Sequence, residues 1–197
     1  MDAILLIDGE NIKGKIKDVF KEFGKEKPVW HEYNFKSLFD KILGGINVNK
    51  KVFYFAKIKE HKKSIEKSKQ LIEEQRLLKT HLEKQGFGVI LRGSVRGQIE
   101  NHKGKEVLVF KEKGVDVKIA VDMVSMACDK RVKEIILCSS DSDLQPAIEE
   151  VKNRGTNCIY VGFEVNPNKG LSYTTRRTIL IRNSEVMEFK NIQNKLI

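Results

Sequence analysis

The chain lacks any apolar run near the roughly 20 residues that a bilayer-spanning helix requires, so no membrane contact is expected. Its three cysteines, Cys128, Cys138 and Cys158, are odd in number and far apart, and no C-x-x-C pair occurs. A disulfide framework and a structural zinc site therefore have no support. Cys138 and Cys158 sit inside apolar runs and read as small buried hydrophobes in a reducing, cytoplasmic compartment. The four histidines are scattered and form neither a ligand set nor a nucleophile–base pair. No G-x-G-x-x-G or P-loop is present, which removes the usual phosphate cradle of nucleotide-cofactor proteins. The start, MDAILLIDGEN, lacks the basic stretch of a secretory signal. No low-complexity linker divides the chain, and one domain is the simplest account: residues 1–163, with 164–197 as an extension packed on it or continuing it.

What the chain has in excess is positive charge. Thirty-seven Lys and Arg face 27 Asp and Glu, a net charge of +10. Such an excess favours a polyanionic partner. Surface lysine that serves only solubility gives the same sum, so charge alone does not decide.

Short apolar runs alternate with longer periodic ones. The expected strands are Ala3–Ile7, Lys51–Ala56, Gly88–Leu91, Glu106–Phe110, Glu134–Cys138, Asn157–Val161 and Thr178–Ile181. Several are nearly continuous in hydrophobicity, as strands covered on both faces are. The expected helices are Ile12–Phe23, Phe35–Leu43, Glu60–Gln85, Val115–Lys130 and Asp143–Arg154. This alternation predicts an α/β, Rossmann-like three-layer sandwich with a central, mainly parallel sheet. Arg92–Phe110 breaks the rhythm and reads as a β-hairpin or loop excursion. The stretch EVNPNKGLSYTTRRT reads as a loop, followed by a strand and a weak end.

The acids carry the chemistry. In an open parallel sheet, ligands bind beyond the carboxyl ends of the strands. The first strand ends on Asp8 and the fifth apolar run ends in Ser139-Ser140-Asp141-Ser142-Asp143. Asp116 opens the helix that leads into that second strand, so its end lies near the same edge. Asp122 lies nearly two turns further on and faces either that cleft or solvent. Each motif alone has a plainer reading. Asp8 can serve a turn, Asp143 a helix cap with Ser142 and Gln145, and Asn11 a cap or a phosphate contact. Together they predict several carboxylates at one rim, whose repulsion a divalent cation relieves. Oxygen ligands without His or Cys point to Mg²⁺ or Mn²⁺. A pair of acids sharing one proton is the metal-free alternative.

The segments LLIDGENI, KGVDVKIAVDM and LCSSDSDLQPAIEEVKNRG, in that order, resemble the NYN domain, a branch of the PIN-like nuclease superfamily. The resemblance covers about residues 1–163. It implies a sheet of order 3-2-1-4-5 and a Mg²⁺- or Mn²⁺-dependent ribonuclease. It also implies a catalytic set of Asp8, Asn11, Asp116, Asp141 and Asp143, with Asp8, Asp116, Asp141, Asp143 and Asp122 as metal ligands. The family usually has Gly where Ser140 stands and Phe where Leu144 stands.

For nucleic-acid contacts the candidates are Arg92, Arg96, Lys113, Ser140, Arg176 and Arg177. Lysines 59, 62, 63, 67, 69, 103 and 105 are further cations, and Tyr173, Phe163 and His102 are candidate stacking rings. RNA, single-stranded or structured, is the expected partner, with DNA as the alternative polyanion and a second copy of the chain as a further candidate. Three readings stand side by side. The first is a metal-dependent nuclease, and the second an RNA-binding or adaptor protein on the same fold with weakened chemistry. The third is another phosphoryl-transfer enzyme with acids at its strand ends.

Overall fold

The computed structural model describes residues 2–60, 65–102 and 105–190. Strand β1 (Ala3–Asp8) is buried at all six positions, because it lies at the centre of the sheet with helices on both faces. Its neighbours are β2 (Val48–Lys57) and β5 (Glu134–Cys138), both parallel to it. Beyond β2 come β3 (Gly88–His102) and β4 (Lys105–Lys113), and beyond β5 come β6 (Asn157–Phe163) and β7 (Arg177–Ile181). The order is β4-β3-β2-β1-β5-β6-β7, and only the β3–β4 pairing is antiparallel. The expected excursion is thus a long ribbon: β3 shifts register against β2 at Arg92–Gly93 and continues, and β4 returns beside it. Without β4 and β7 the order is 3-2-1-5-6, which is the implied order once the ribbon strand is left uncounted.

Side chains alternate between two cores, as the two-residue period of a strand requires. Ala3, Leu5 and Ile7 face the layer of α1 (Gly9–Glu22), α2 (Phe35–Ile42), α3 (Ile65–Lys84) and α7 (Asn183–Glu188). Ile4 and Leu6 face α4 (Val115–Cys128), α5 (Gln145–Asn153) and α6 (Lys169–Thr174). The helices answer with apolar rows at helical spacing: Ile12, Ile16, Val19 and Phe20 on α1, and Val115, Ile119, Met123 and Ala127 on α4.

Several boundaries differ from expectation for local reasons. Helix α1 starts at Gly9, because Asp8 ends the strand and caps the helix at once. A 3₁₀ turn, Ser142–Leu144, precedes α5, since the Asp141 side chain captures the Asp143 N–H before the helix can wind. The stretch expected as a loop contains α6, capped by Asn168. The tail carries α7, and its Val186 joins the core. Among the described residues no helix is long and apolar enough to cross a membrane.

Candidate active site

Parallel pairing aligns the ends of β1 and β5: Ile7 lies opposite Cys138, so Asp8 and Ser139 leave the sheet side by side. The Ser139 hydroxyl donates to Asp8 Oδ2 at 3.3 Å and accepts from the Asp141 N–H at 3.2 Å. Asp8 Oδ1 accepts from the Asn11 N–H at 3.1 Å. Both oxygens of this carboxylate are therefore engaged, and the residue is only 9% exposed. Burial pushes the Asp8 carboxyl up to about 6, against the pull of the Asn11 N–H and the Ser139 hydroxyl; the charges of Asp141 and Glu10 add to the rise.

Asp116 reaches the same rim through a turn built on glycine. Gly93 has φ +78° and a Cβ there would lie 2.2 Å from the Lys113 carbonyl oxygen. Gly114, at φ +85°, is the N-cap of α4. This close crossing sends the chain from β4 into α4 with Asp116 in the first turn. Carboxylate oxygens of Asp116, Asp141 and Asp143 lie within 4.8 Å of one another. Asp116 and Asp141 are half-buried and Asp143 is exposed. Three hard oxygen donors at this spacing suit Mg²⁺ or Mn²⁺, and no nitrogen or sulfur ligand competes in the group.

The other expected site residues fall in different places. Asp122 is not in the three-acid group. Its Oδ1 pairs with Lys118 at 2.5 Å and its Oδ2 accepts from the Tyr54 hydroxyl at 2.9 Å. Six positions along a helix leave the side chain roughly 120° around the axis from Asp116. Asn11 does not point into open space: its Oδ1 accepts from the Ser140 N–H at 3.0 Å and the Ser140 hydroxyl at 3.1 Å. Arg92 and Lys113 are exposed near the Gly93–Gly114 crossing. Arg176 and Arg177 stand at the start of β7, where Arg177 pairs with Ile159. Through Ile159 and Ile136 the register sets Arg177 level with Leu5, three residues before the carboxyl end that carries Asp8. Phe163 belongs to the core, whereas Tyr173 is 93% exposed. The side chains of Arg96, His102 and Lys105, and residues Lys62, Lys63 and Lys103 altogether, lie outside the described residues.

Sequence reasoning missed the residues that brace the rim. Ser139 links Asp8 to Asp141, and its only sequence signal is its place in SSDSD. Asn168 caps α6 and donates from Nδ2 to the Ser140 carbonyl at 2.9 Å. Glu112 on β4 accepts from the Ala56 N–H at 2.7 Å. Burial pushes its carboxyl up to about 7, opposed by that N–H and raised further by Glu10 and Asp8. Nothing in a lysine-rich strand marks it as an inward acid.

A protein of unknown function from Vibrio parahaemolyticus has a crystal structure similar to this fold. It superposes with a TM-score of 0.61 at 18% identity, covering 91% of this chain and 92% of that one. Among curated proteins none matches the chain. The sequence model of the NYN domain matches residues 2–181, through the last strand of the sheet. A seven-stranded sheet with acids gathered at its carboxyl edge, together with that match over nearly the whole length, identifies the chain as a member of the NYN domain family.

Proposed function

We propose that the protein is a metal-dependent ribonuclease that hydrolyses RNA phosphodiester bonds at the rim formed by β1, β5 and α4. The observation that carries this reading is the set of Asp116, Asp141 and Asp143 oxygens within 4.8 Å. It sits in a chain of net charge +10. Asp116, Asp141 and Asp143 would hold Mg²⁺ or Mn²⁺. The bound ion supplies Lewis-acid stabilisation of the phosphoryl oxygens and a more acidic water.

The chain's own residues do the rest. Asp8 adds negative charge from behind and, through Ser139, fixes the backbone that presents Asp141. Asn11 holds the Ser140 end of the same loop and Asn168 holds its carbonyl. Arg92 and Lys113 meet the phosphates of the strand entering the rim, where each contact is salt-sensitive. Binding without turnover is the second reading, because Ser140 stands where the resembling family has Gly. The Ser140 hydroxyl is turned onto Asn11, which favours the catalytic reading.

The test is incubation of labelled single-stranded RNA with the protein and Mn²⁺. Cleavage is expected, with loss on chelation and in Asp141→Asn or Asp116→Asn. RNA left intact under both Mg²⁺ and Mn²⁺, with Asp141→Asn no different from the parent chain, would sink the reading. Tight RNA binding without a cut would establish the second one.

A further inference from the structure

A cavity of about 420 Å³ lies between α1 and α3, against Phe55 of β2, Val95 of β3 and Phe110 and Glu112 of β4. Its volume falls within the roughly 300–1,000 Å³ of small-molecule sites and suits one nucleotide unit. Trp30, Phe55, Leu71, Leu78, Val95 and Phe110 give it apolar and aromatic walls. Lys13, Lys17 and Lys27 bring cations to it, matched in number by Glu10, Glu74 and Glu112. The Lys13 ammonium pairs with Glu10 at 2.6 Å and stands 5.5 Å from the Trp30 ring and 5.8 Å from the Phe55 ring. The cavity borders the start of α1, just after Asp8: Glu10 lines it, and its wall residue Phe55 packs so tightly on Gly9 that a Cβ there would lie 2.1 Å from its ring.

Two features favour one ligand class. Aromatic faces flanked by lysines suit a base and its phosphate. Glu112 supplies an acceptor in the lining. Its Oε1 accepts from the Ala56 N–H at 2.7 Å. A carboxylate meets the adjacent N1–H and N2–H donors of guanine with two hydrogen bonds. Adenine and cytosine offer one amino group beside an acceptor. Uracil offers one N–H between two carbonyls, which repel a carboxylate.

Resting on the ribonuclease reading, we propose that this cavity seats one base of the RNA next to the scissile phosphate and that Glu112 makes guanine the preferred base. Gly14 takes part by its small size. It lines the cavity from mid-helix, and nothing lies within 4 Å of a Cβ placed there.

Trp30 is the chain's single tryptophan, so its fluorescence reports on the cavity directly. The experiment titrates the full chain with GMP, AMP, CMP and UMP without divalent ions, then measures Mn²⁺-dependent cleavage of oligoribonucleotides with and without guanine. GMP is expected to quench saturably, with UMP at least about tenfold weaker. Gly14→Leu fills the space while replacing a poor helix former, so it folds, and it is expected to weaken GMP binding at least about tenfold. Glu112→Gln is expected to bring GMP and UMP within about threefold of each other. Equal quenching by all four nucleotides, or by none, overturns the proposal. So does a GMP site whose loss in Gly14→Leu leaves cleavage of guanine-containing RNA unchanged, which assigns the cavity to a free nucleotide. The two readings fail separately. GMP binding in a chain that never cuts RNA sinks the nuclease and keeps the cavity as a guanine site. Cleavage that ignores guanine sinks the cavity proposal alone.

Discussion

The side-chain oxygen of Asn11 accepts two hydrogen bonds from Ser140, one from its backbone N–H at 3.0 Å and one from its hydroxyl at 3.1 Å. This contact joins the first turn of α1 to the loop after β5, and so fixes Asp8 relative to Asp141. Asn11→Ala leaves the Ser140 N–H, half-buried, without its acceptor. The expected cost is about 1–3 kcal/mol in denaturant unfolding. RNA cleavage is expected to fall about 10- to 100-fold, since the loop that presents Asp141 loses its anchor. Unchanged cleavage in a destabilised variant would show that the contact serves stability alone.

Ser140→Gly restores the residue usual in the resembling family. Ser140 is not among the residues with positive φ, so its backbone does not demand glycine. The change deletes the hydroxyl bond and keeps the N–H bond to Asn11. A loss of at most about 1–2 kcal/mol in stability is expected, from one weak bond and added chain entropy. Initial rates with Mn²⁺ should stay within about threefold of the parent; a gain of about 100-fold would mean that Ser140 obstructs the site.

Asp8 gives a pH dependence of definite sign. Its carboxyl rises from 3.8 to about 6, mainly because it is buried. The folded chain keeps the proton to higher pH than the unfolded chain does. The stability from this group is therefore fully present below about pH 4 and is lost as pH rises through about 6, by roughly 3 kcal/mol. Glu112, pushed up to about 7 by burial, contributes with the same sign over a higher window. Asp8→Asn keeps an oxygen to cap the Asn11 N–H and removes the buried charge. It should melt above the parent chain at neutral pH without divalent ions, and the gap should close near about pH 4. A variant that melts lower at neutral pH would contradict the assignment.

Asp122 separates resemblance from geometry. Its two oxygens hold Lys118 and Tyr54 rather than the three-acid group. Asp122→Asn is expected to keep Mn²⁺-dependent cleavage within about threefold while costing about 1–3 kcal/mol in stability, from a half-buried charge pair broken on one side. A loss of about 100-fold in rate, with stability unchanged, would return Asp122 to the metal site.

Much of this protein was written locally. The continuous apolar run of Ala3–Ile7, the four-residue apolar spacing of α4 and the glycine stops fix strand and helix types. They do so because period and chain termination depend only on near neighbours. The carboxyl-edge position of Asp8 and Asp141 follows as well, since two parallel strands must end on one rim. What tertiary structure decided is which oxygens remain free there. Asp8 carries an acid in the expected place, yet its oxygens are taken by Asn11 and Ser139, a residue set beside it only by the β1–β5 register. Asp116 and Asp122 look alike in sequence and are separated by helix rotation and by a tyrosine from β2. Arg176 and Arg177 look like substrate cations, and the strand register sets Arg177 level with Leu5, below the rim that carries Asp8. Glu112 was invisible, because a strand's inward acid is set by the elements that close over it. Residue order fixes periodicity and ends; packing between distant segments fixes which charges meet.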